Sequence, residues 1–447
     1  MASVKRYCTD ETGRDLYRRS FAIGGVLGRP LTLRGWRAYC PPIVTAIRVQ
    51  QLEILQENQT AQSATTLSAA ERVRIAKADL RDEYLEPSHT FPWIVGYSGG
   101  KDSTLLLQLV MEMVLELAPS DRRRPLHVVC NDTRVESPLV AEYVDRMLTR
   151  LTRAAESLRL PLTVAKTQPE AEQTFWVRLI GKGYPAPNRS FRWCTDRMKI
   201  QPTSNYIRKQ VAANGEVILL LGVRRDESAT RSGSIGRYEN TIRDRLNPHS
   251  DLKGCLVYRP IVDFTIEEVW SLLMQRPPPW GGSHRDLITL YRNAQGGECP
   301  LVIDKSQAPS CGTSSSRFGC WTCTVVEKDR SMEGFIESGA EHLAPLLDFR
   351  DWLAETRNDP QRRTIERRDG SVTFMKKKDN EKEKAIFGPY TMDMRREILE
   401  RLLALQQEVN LPLITEEEVF LIKRIWAEDT ITGVQRANSL HMVEAEL

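Results

Sequence analysis

The sequence predicts an α/β fold, a doubly wound and mostly parallel β-sheet, with helices before it and a cysteine-rich segment and a helical region after it. Two observations predict this fold. From Pro92 onward, short apolar runs alternate with amphipathic stretches, which is the pattern of strands that alternate with helices. The first apolar run, Trp93–Tyr97, leads through the glycine-containing turn Ser98–Ser103 directly into the first of these helices.

Individual elements follow in chain order. A helix is expected at Ala46–Glu57, and Ser68 with Glu71 forms a capping box that begins a second helix toward Tyr84. The α/β part is expected to contain strand Trp93–Tyr97, helix Thr104–Leu117, strand Leu126–Cys130, helix Leu139–Leu158, strands Leu162–Ala165 and Val217–Gly222, and a helix that begins at Thr265 with Glu268 in its first turn.

The second half of the chain changes character at Gly281. Residues Gly281–Ser331 are rich in Gly, Pro, Ser and Cys and are expected to be irregular, whereas helices are expected at Met394–Val409 and Glu416–Trp426. The predicted organisation is an N-terminal helical region at 1–84, an α/β domain at 85–285, a cysteine-rich segment at 286–335 and a helical, charged region at 336–447.

Composition places the chain among globular proteins. Of its 447 residues, 41% are hydrophobic and 27% are charged, so a large core can form. Since no apolar run approaches the roughly 18 to 20 residues of a membrane span and Met1–Ser20 lacks an apolar signal core, we expect a cytoplasmic protein with no membrane partner. Nine cysteines in that compartment favour metal binding or catalysis over disulfides.

The turn Ser98–Ser103 predicts a phosphate site. Gly99 and Gly100 allow a sharp turn and close approach to a ligand, and the following helix N-terminus directs free N–H groups toward an anion. The spacing is not that of a Walker A loop. The order Ser-Gly-Gly-Lys-Asp-Ser instead resembles the PP-loop of the adenine-nucleotide α-hydrolase superfamily, which splits ATP between its α and β phosphates or binds adenylyl sulfate. The resemblance implies ATP with Mg²⁺ as ligand, a loop formed by Ser98, Gly99, Gly100, Asp102 and Ser103, and an added cation, Lys101.

Other candidate residues follow later strands, at the sheet edge where open α/β sheets bind ligands. Asp132 follows the second strand, where an ordinary Asx-capped turn is the alternative. The segment from Gly222 through Arg224 and Arg225 to Glu227 resembles the Gly-x-Arg-x-x-Glu-Ser segment of phosphoadenylyl sulfate reductases. Its arginines match anionic oxygens, although surface arginines beside a carboxylate are the alternative.

Four cysteines predict a metal site. Cys299, Cys311, Cys320 and Cys323 lie within 25 residues, and thiolates on irregular chain can close around zinc or an iron–sulfur cluster. Spacing alone leaves both metals open.

The cysteine motifs, together with Trp93–Thr104, Gly181–Pro187 and Arg192–Cys194, resemble the DndC family of DNA phosphorothioation proteins. The resemblance implies an ATP pyrophosphatase with a [4Fe–4S] cluster on the four cysteines. Such a protein works with a cysteine desulfurase and other Dnd proteins to replace a non-bridging oxygen of the DNA backbone by sulfur. In this hypothesis Lys101, Asp102, Arg224 and Arg225 act in catalysis, and Asp102→Ala is expected to abolish pyrophosphate release with the fold intact.

Two alternatives remain, a PP-loop tRNA thiolase and a non-catalytic, zinc-containing nucleic-acid-binding subunit. Reduction of sulfonucleotides is not expected, since the chain has Trp193-Cys194 where cluster-containing adenylyl sulfate reductases have two cysteines, and it lacks the C-terminal Glu-Cys-Gly-x-His segment. Cys194 is left unassigned as a persulfide carrier, a metal ligand or a buried thiol.

Overall fold

The computed structural model describes residues 67–225, 245–294, 318–375 and 384–429. The expected helix Ala46–Glu57 and three predicted site residues, Glu227, Cys299 and Cys311, lie outside these ranges.

A six-stranded sheet forms the centre of the fold and confirms the predicted α/β class. Its strands are β1 (Trp93–Gly96), β2 (Leu126–Asn131), β3 (Leu162–Thr167), β4 (Val217–Leu220), β5 (Leu246–Pro248) and β6 (Cys255–Tyr258). Their spatial order is β3-β2-β1-β4-β6-β5, and only the edge strand β5 runs antiparallel to its neighbour. The order changes direction between β1 and β4, which is where open sheets of this kind form their binding crevice.

Helices cover the two faces of the sheet because successive strand residues point to opposite faces. Trp93 and Val95 belong to one apolar cluster, and Ile94 belongs to another. The helices of the α/β part are α1 (Ala69–Tyr84), α2 (Lys101–Glu116), α3 (Pro138–Ser157), α4 (Gln201–Asn214), α5 (Ile266–Gln275) and α6 (Arg285–Asn293). π-helical turns at Val177–Gly181 and Thr195–Ile200 lie between β3 and α4.

Two predicted helix starts are confirmed by their hydrogen bonds. The Ser68 side chain accepts the Glu71 N–H at the start of α1. At α5, the side chains of Thr265 and Glu268 each accept the other residue's backbone N–H. Each pair satisfies backbone donors that the first helical turn would otherwise leave free.

Helix α6 is a difference from the prediction, because it lies inside the stretch expected to be irregular. Its apolar residues Leu290 and Tyr291 follow Leu287 by three and four positions, and all three share one buried face. The pattern is short and is flanked by glycine- and cysteine-rich chain, so it does not stand out in the sequence as a helix.

The last part of the described chain is mostly helical, as predicted. It contains α7 (Arg330–Glu337), α8 (Ala344–Thr356), the hairpin strands β7 (Thr373–Met375) and β8 (Lys384–Ile386), α9 (Met392–Val409) and a helix, α10, from residue 416 to 429. These helices pack with the turn Val177–Gly181 and with Trp321 in a separate apolar cluster. No helix among the described residues is long and apolar enough to cross a membrane.

Candidate functional site

The candidate site lies at the carboxyl ends of β1, β2 and β4. The turn after β1 is Ser98–Ser103, and the segment after the neighbouring strand β4 contains Gly222 and Arg224. Because β1 and β4 are parallel neighbours, both connections begin at the same end of the sheet, at the point where the strand order reverses. The predicted nucleotide loop and the predicted arginine segment are therefore brought together.

Hydrogen bonds within the nucleotide loop, residues 98–103, fix its shape. The Oγ atoms of Ser98 and Ser103 are 3.1 Å apart, and the Ser103 hydroxyl donates to the Gly100 carbonyl at 3.0 Å. The Ser98 N–H also donates to the Ser103 Oγ. The loop thus sets the first turn of α2 with its N-terminal N–H groups toward the crevice, the arrangement that binds anions.

Two glycines in the site are required by geometry. Gly99 has a φ of 74°, and a Cβ there would lie 2.5 Å from a methyl carbon of Val144. Gly222 lies against the backbone of α2, where a Cβ would be 2.8 Å from the Asp102 carbonyl oxygen and 2.9 Å from the Ser103 nitrogen. Gly222, predicted as a ligand-binding residue, therefore positions the loop by close packing.

A half-buried carboxylate joins the loop to the arginine segment. Asp102 accepts from the Arg224 Nε at 2.6 Å and pairs with the Lys101 Nζ at 3.0 Å. The Arg224 side chain is only 4% exposed, and within the described residues its buried Nη1 has no hydrogen-bond acceptor. A donor of this kind suits a phosphate oxygen. Arg225 instead pairs with Asp263 at 2.7 Å on the surface, so its predicted role in catalysis stays a prediction.

Carboxylates at the end of β2 form the next part of the site. Asp132 accepts from the Gln168 side chain, the Arg134 N–H and Lys166, and these partners outweigh burial, so the pKa of Asp132 lies below its usual value. Burial raises the pKa of nearby Glu136, whose carboxylate accepts the Thr133 N–H at 3.0 Å. Glu136 was not predicted, because nothing in its local sequence distinguishes it from a surface glutamate.

The turn Cys320–Cys323 lies against this same end of β2. The Thr133 Oγ1 is 3.4 Å from the Cys320 Sγ, and the Trp321 N–H donates to the Val135 carbonyl at 3.0 Å. Burial raises the pKa of the Cys320 thiol to about 11, whereas the charge of Lys199 acts to lower it. The cysteine turn therefore lies at the carboxyl end of β2, the same end of the sheet as the nucleotide loop.

Cys194 lies within electrostatic range of this turn. Burial raises the pKa of the Cys194 thiol, and Cys323 raises it further. Charge on Cys320 first, and on Cys323 and Cys194, raises the pKa of Lys199, which lies five residues after Cys194. A thiol that the sequence left unassigned is thus placed near the two predicted metal ligands.

A buried arginine from α8 holds the cysteine turn in place. Arg350 is 1% exposed and donates to the carbonyl oxygens of Cys323, Val326 and Glu327. Three carbonyls that the irregular chain cannot pair internally are satisfied in this way. Only its place in an amphipathic helix is visible in the sequence, which gives no sign of this role.

Tyr291, on α6, closes one side of the nucleotide loop. Its hydroxyl oxygen accepts the Lys101 N–H at 3.3 Å, and its ring packs on Trp270 and Phe318. The sequence placed this residue in irregular chain, so its contact with the loop was missed.

Two of the four predicted metal ligands, Cys320 and Cys323, lie in the part of the chain that the structure describes. Cys320 and Cys323 have the soft thiol donors that zinc and iron–sulfur clusters require, and the Cys323 N–H donates to the Cys320 carbonyl in a tight turn. In the ranges that the structure describes, no three Cys, His, Asp or Glu side chains are arranged to hold a metal ion. The predicted set includes Cys299 and Cys311, so the four-cysteine site stays a prediction.

Comparison with known proteins finds a family for the part of the chain that contains the sheet and the cysteine turn. The family model of the phosphoadenosine phosphosulfate reductase domain matches residues 92–326, which are 235 of the 447 residues. An uncharacterized protein of Methanocaldococcus jannaschii is 23% identical over 189 residues, or 42% of this chain. The match spans 32% of that relative's length.

Partial alignments with solved structures have low TM-scores. The phosphoadenylyl-sulfate reductase of Candida auris in a phosphate complex is 14% identical, with 46% of this chain and 86% of that chain covered and a TM-score of 0.28. FMN adenylyltransferase of Candida glabrata is 14% identical, with 56% and 74% covered and a TM-score of 0.30. The U34-tRNA thiolase NcsA of Methanococcus maripaludis, with its [4Fe-4S] cluster, is 11% identical, with 65% and 80% covered and a TM-score of 0.30.

Proposed function

Because the chain belongs to the phosphoadenosine phosphosulfate reductase domain family, we propose that it is an ATP-dependent sulfurtransferase that adenylates the DNA backbone and replaces a non-bridging phosphate oxygen by sulfur. The family supports a PP-loop enzyme that uses an adenine nucleotide. DNA as substrate, the cysteine desulfurase as sulfur donor and the other Dnd proteins as partners rest on the motif resemblance.

The observation that carries the proposal is the contact between the cysteine turn and the residues that follow β2. The 3.4 Å distance from the Thr133 Oγ1 to the Cys320 Sγ places the cysteine turn at the sheet edge that holds the nucleotide loop. A purely structural zinc site could lie anywhere on the surface. Thiols beside a nucleotide crevice support sulfur transfer to an oxygen that the nucleotide activates.

Residues of the loop would bind the pyrophosphate end of ATP. The N-terminal N–H groups of α2 are donors for phosphate oxygens, and so is the Arg224 Nη1, which has no acceptor among the described residues. Lys101 adds a cation. Asp102 holds both side chains in place. Asp132 supplies the kind of hard carboxylate oxygen that suits Mg²⁺, which when bound offsets charge on the phosphates.

The first step joins a non-bridging DNA oxygen to the α-phosphorus of ATP, breaks the bond from this phosphorus to the bridging oxygen, and releases pyrophosphate. Positive charge from Lys101 and Arg224 stabilises the negative charge that develops on the phosphates. In the second step, the terminal sulfur of a persulfide attacks the DNA phosphorus and AMP leaves. The DNA phosphorus then carries the transferred sulfur, which is still bonded to the inner sulfur of the donor. A further thiol attacks this inner sulfur and breaks the sulfur–sulfur bond, which forms a disulfide with the donor and frees the phosphorothioate.

We assign Cys299, Cys311, Cys320 and Cys323 to hold a [4Fe–4S] cluster in this proposal. When bound, such a cluster supplies redox-active iron and a sulfide-rich surface. Lys199 supplies positive charge near the thiols. Arg350 holds the cysteine turn in place.

The test is pyrophosphate release from ATP by protein purified without oxygen, with plasmid DNA, with tRNA and with neither. We expect release that DNA stimulates and AMP that becomes attached to DNA. An Arg224→Met variant should lose pyrophosphate release. Arg123→Ala should keep it, because Arg123 is exposed and precedes β2, at the end of the sheet opposite the nucleotide loop.

Other outcomes separate the alternatives. Stimulation by tRNA alone would favour the thiolase. A colourless protein that contains one zinc ion and releases no pyrophosphate would contradict the proposal and favour the non-catalytic subunit. Absorption near 400 nm, with about four irons per chain, is the expected result for the cluster.

A further inference from the structure

The hydroxyl of Tyr291 contacts the backbone of the nucleotide loop at the start of α2. It accepts the Lys101 N–H at 3.3 Å, and a Cβ on Gly100 would be 3.3 Å from the same oxygen. The Lys101 N–H belongs to the first turn of α2, where no carbonyl within the helix can accept it. The phenol oxygen therefore takes a donor that a phosphate oxygen would use.

Aromatic packing holds the Tyr291 ring and continues toward the cysteine turn. The centroid of its ring lies 4.9 Å from that of Trp270, in an edge-on arrangement, and 4.4 Å from that of Phe318. Phe318 stacks in turn on Phe335 at 6.3 Å and is two residues before Cys320. A close-packed contact of this kind transmits displacement, because such interiors leave little free space.

The Tyr291 hydroxyl is a weak partner for the loop compared with a phosphate. Burial raises the pKa of Tyr291, so the phenol is neutral, and its long contact with Lys101 contributes little. A charged oxygen accepts a more favourable bond from the same N–H. A phosphate group that uses this donor must therefore move the phenol.

We propose that Tyr291 is a positioning residue that links the nucleotide loop to the cysteine turn. Its hydroxyl competes with phosphate for the Lys101 N–H, and its ring carries the resulting displacement through Phe318 to Cys320 and Cys323. This inference rests on the proposed function in one respect, that the loop binds the phosphate end of a nucleotide.

The test uses inorganic pyrophosphate and the full chain. Tyr291→Phe removes the competing hydroxyl and keeps the ring, so it should bind pyrophosphate about two- to tenfold more tightly in calorimetry. Hydrogen–deuterium exchange of residues 318–327 is the second readout. Pyrophosphate should change this exchange severalfold in the wild type and leave it unchanged in Tyr291→Phe.

Tyr84→Phe is the matched control, since it also removes a buried hydroxyl with one hydrogen bond, to the Arg124 carbonyl at 3.0 Å. It should behave as the wild type in both readouts. Equal or weaker binding by Tyr291→Phe would overturn the inference, and so would a wild-type exchange rate that pyrophosphate does not alter. A wild type that fails to bind pyrophosphate would overturn the proposed function as well, which distinguishes the two failures.

Discussion

Replacing Asp102 by Ala is expected to destabilise the protein strongly, in addition to impairing any reaction. Asp102 accepts from Arg224 at 2.6 Å, and the two side chains are only 13% and 4% exposed. Since one Arg224 nitrogen already lacks an acceptor among the described residues, loss of Asp102 would leave a buried guanidinium with two unpaired nitrogens. Removing one partner of a buried ion pair costs about 3 to 5 kcal/mol in free energy of unfolding.

An adjacent ion pair gives the matched control. Arg225 and Asp263 are 2.7 Å apart, but their side chains are 38% and 58% exposed. An exposed pair contributes about 0 to 1 kcal/mol, so Asp263→Ala should cost at least about 2 kcal/mol less than Asp102→Ala. The difference in burial, at nearly the same distance, is what the comparison measures.

Urea denaturation without ligand, followed by circular dichroism, measures both free energies. The double variant Asp102→Ala with Arg224→Met should be less destabilised than Asp102→Ala alone, because it removes the stranded charge. If Asp102→Ala and Asp263→Ala have equal effects, or if the double variant is the least stable, the argument from burial is wrong.

Three further predictions concern packing, pH and the helical region. Gly222→Ala should lower the free energy of unfolding by about 1 to 3 kcal/mol, because the new Cβ would meet the α2 backbone, and it should weaken pyrophosphate binding in calorimetry. Gly96→Ala should cost less, because its Cβ would meet a Leu221 methyl carbon at 3.2 Å that can move. Burial lowers the pKa of His284 to about 4 from 6.5, so the unfolded chain binds more protons and stability falls as the pH drops between these values. His284→Gln should remove up to about 3 kcal/mol of this loss in urea titrations at pH 7 and pH 4, and an unchanged pH slope would contradict the assignment. Arg395→Leu should cost about 3 kcal/mol, because buried Arg395 bonds the Ile180 and Gly181 carbonyls and Asp429, whereas exposed Arg396→Leu should cost less than about 1 kcal/mol; equal denaturation midpoints would refute this.

The features that the sequence predicted well are local. Strands such as Leu126–Asn131 and the helix begun at Thr265 are encoded by periodicity and capping residues close together in the chain. The nucleotide loop was found for the same reason, since its glycines and its helix are contiguous. The strands Leu246–Pro248 and Cys255–Tyr258 were not predicted, because runs of three or four residues give little periodicity.

Residues that meet only in the folded chain could not be predicted. Tyr291 is 190 positions from Lys101, and Arg350 is 27 positions from Cys323. Of the two adjacent arginines, only Arg224 turns toward Asp102. Which of the two is buried depends on the folded structure and cannot be read from the sequence. For the same reason, the buried partner of Asp102 predicts destabilisation by Asp102→Ala, against the expectation from the sequence that the fold stays intact.

The contacts of Arg350 set a limit on how the chain can be divided. The family match ends at residue 326, but the guanidinium that pairs with the Cys323 carbonyl comes from α8, beyond that boundary. Trp176, well inside the match, likewise donates to the Leu413 carbonyl at 2.7 Å. A fragment cut where the family match ends would leave exposed carbonyls at its cysteine turn and an unpaired indole, so the part of the chain that must fold together extends beyond the part that the family model matches.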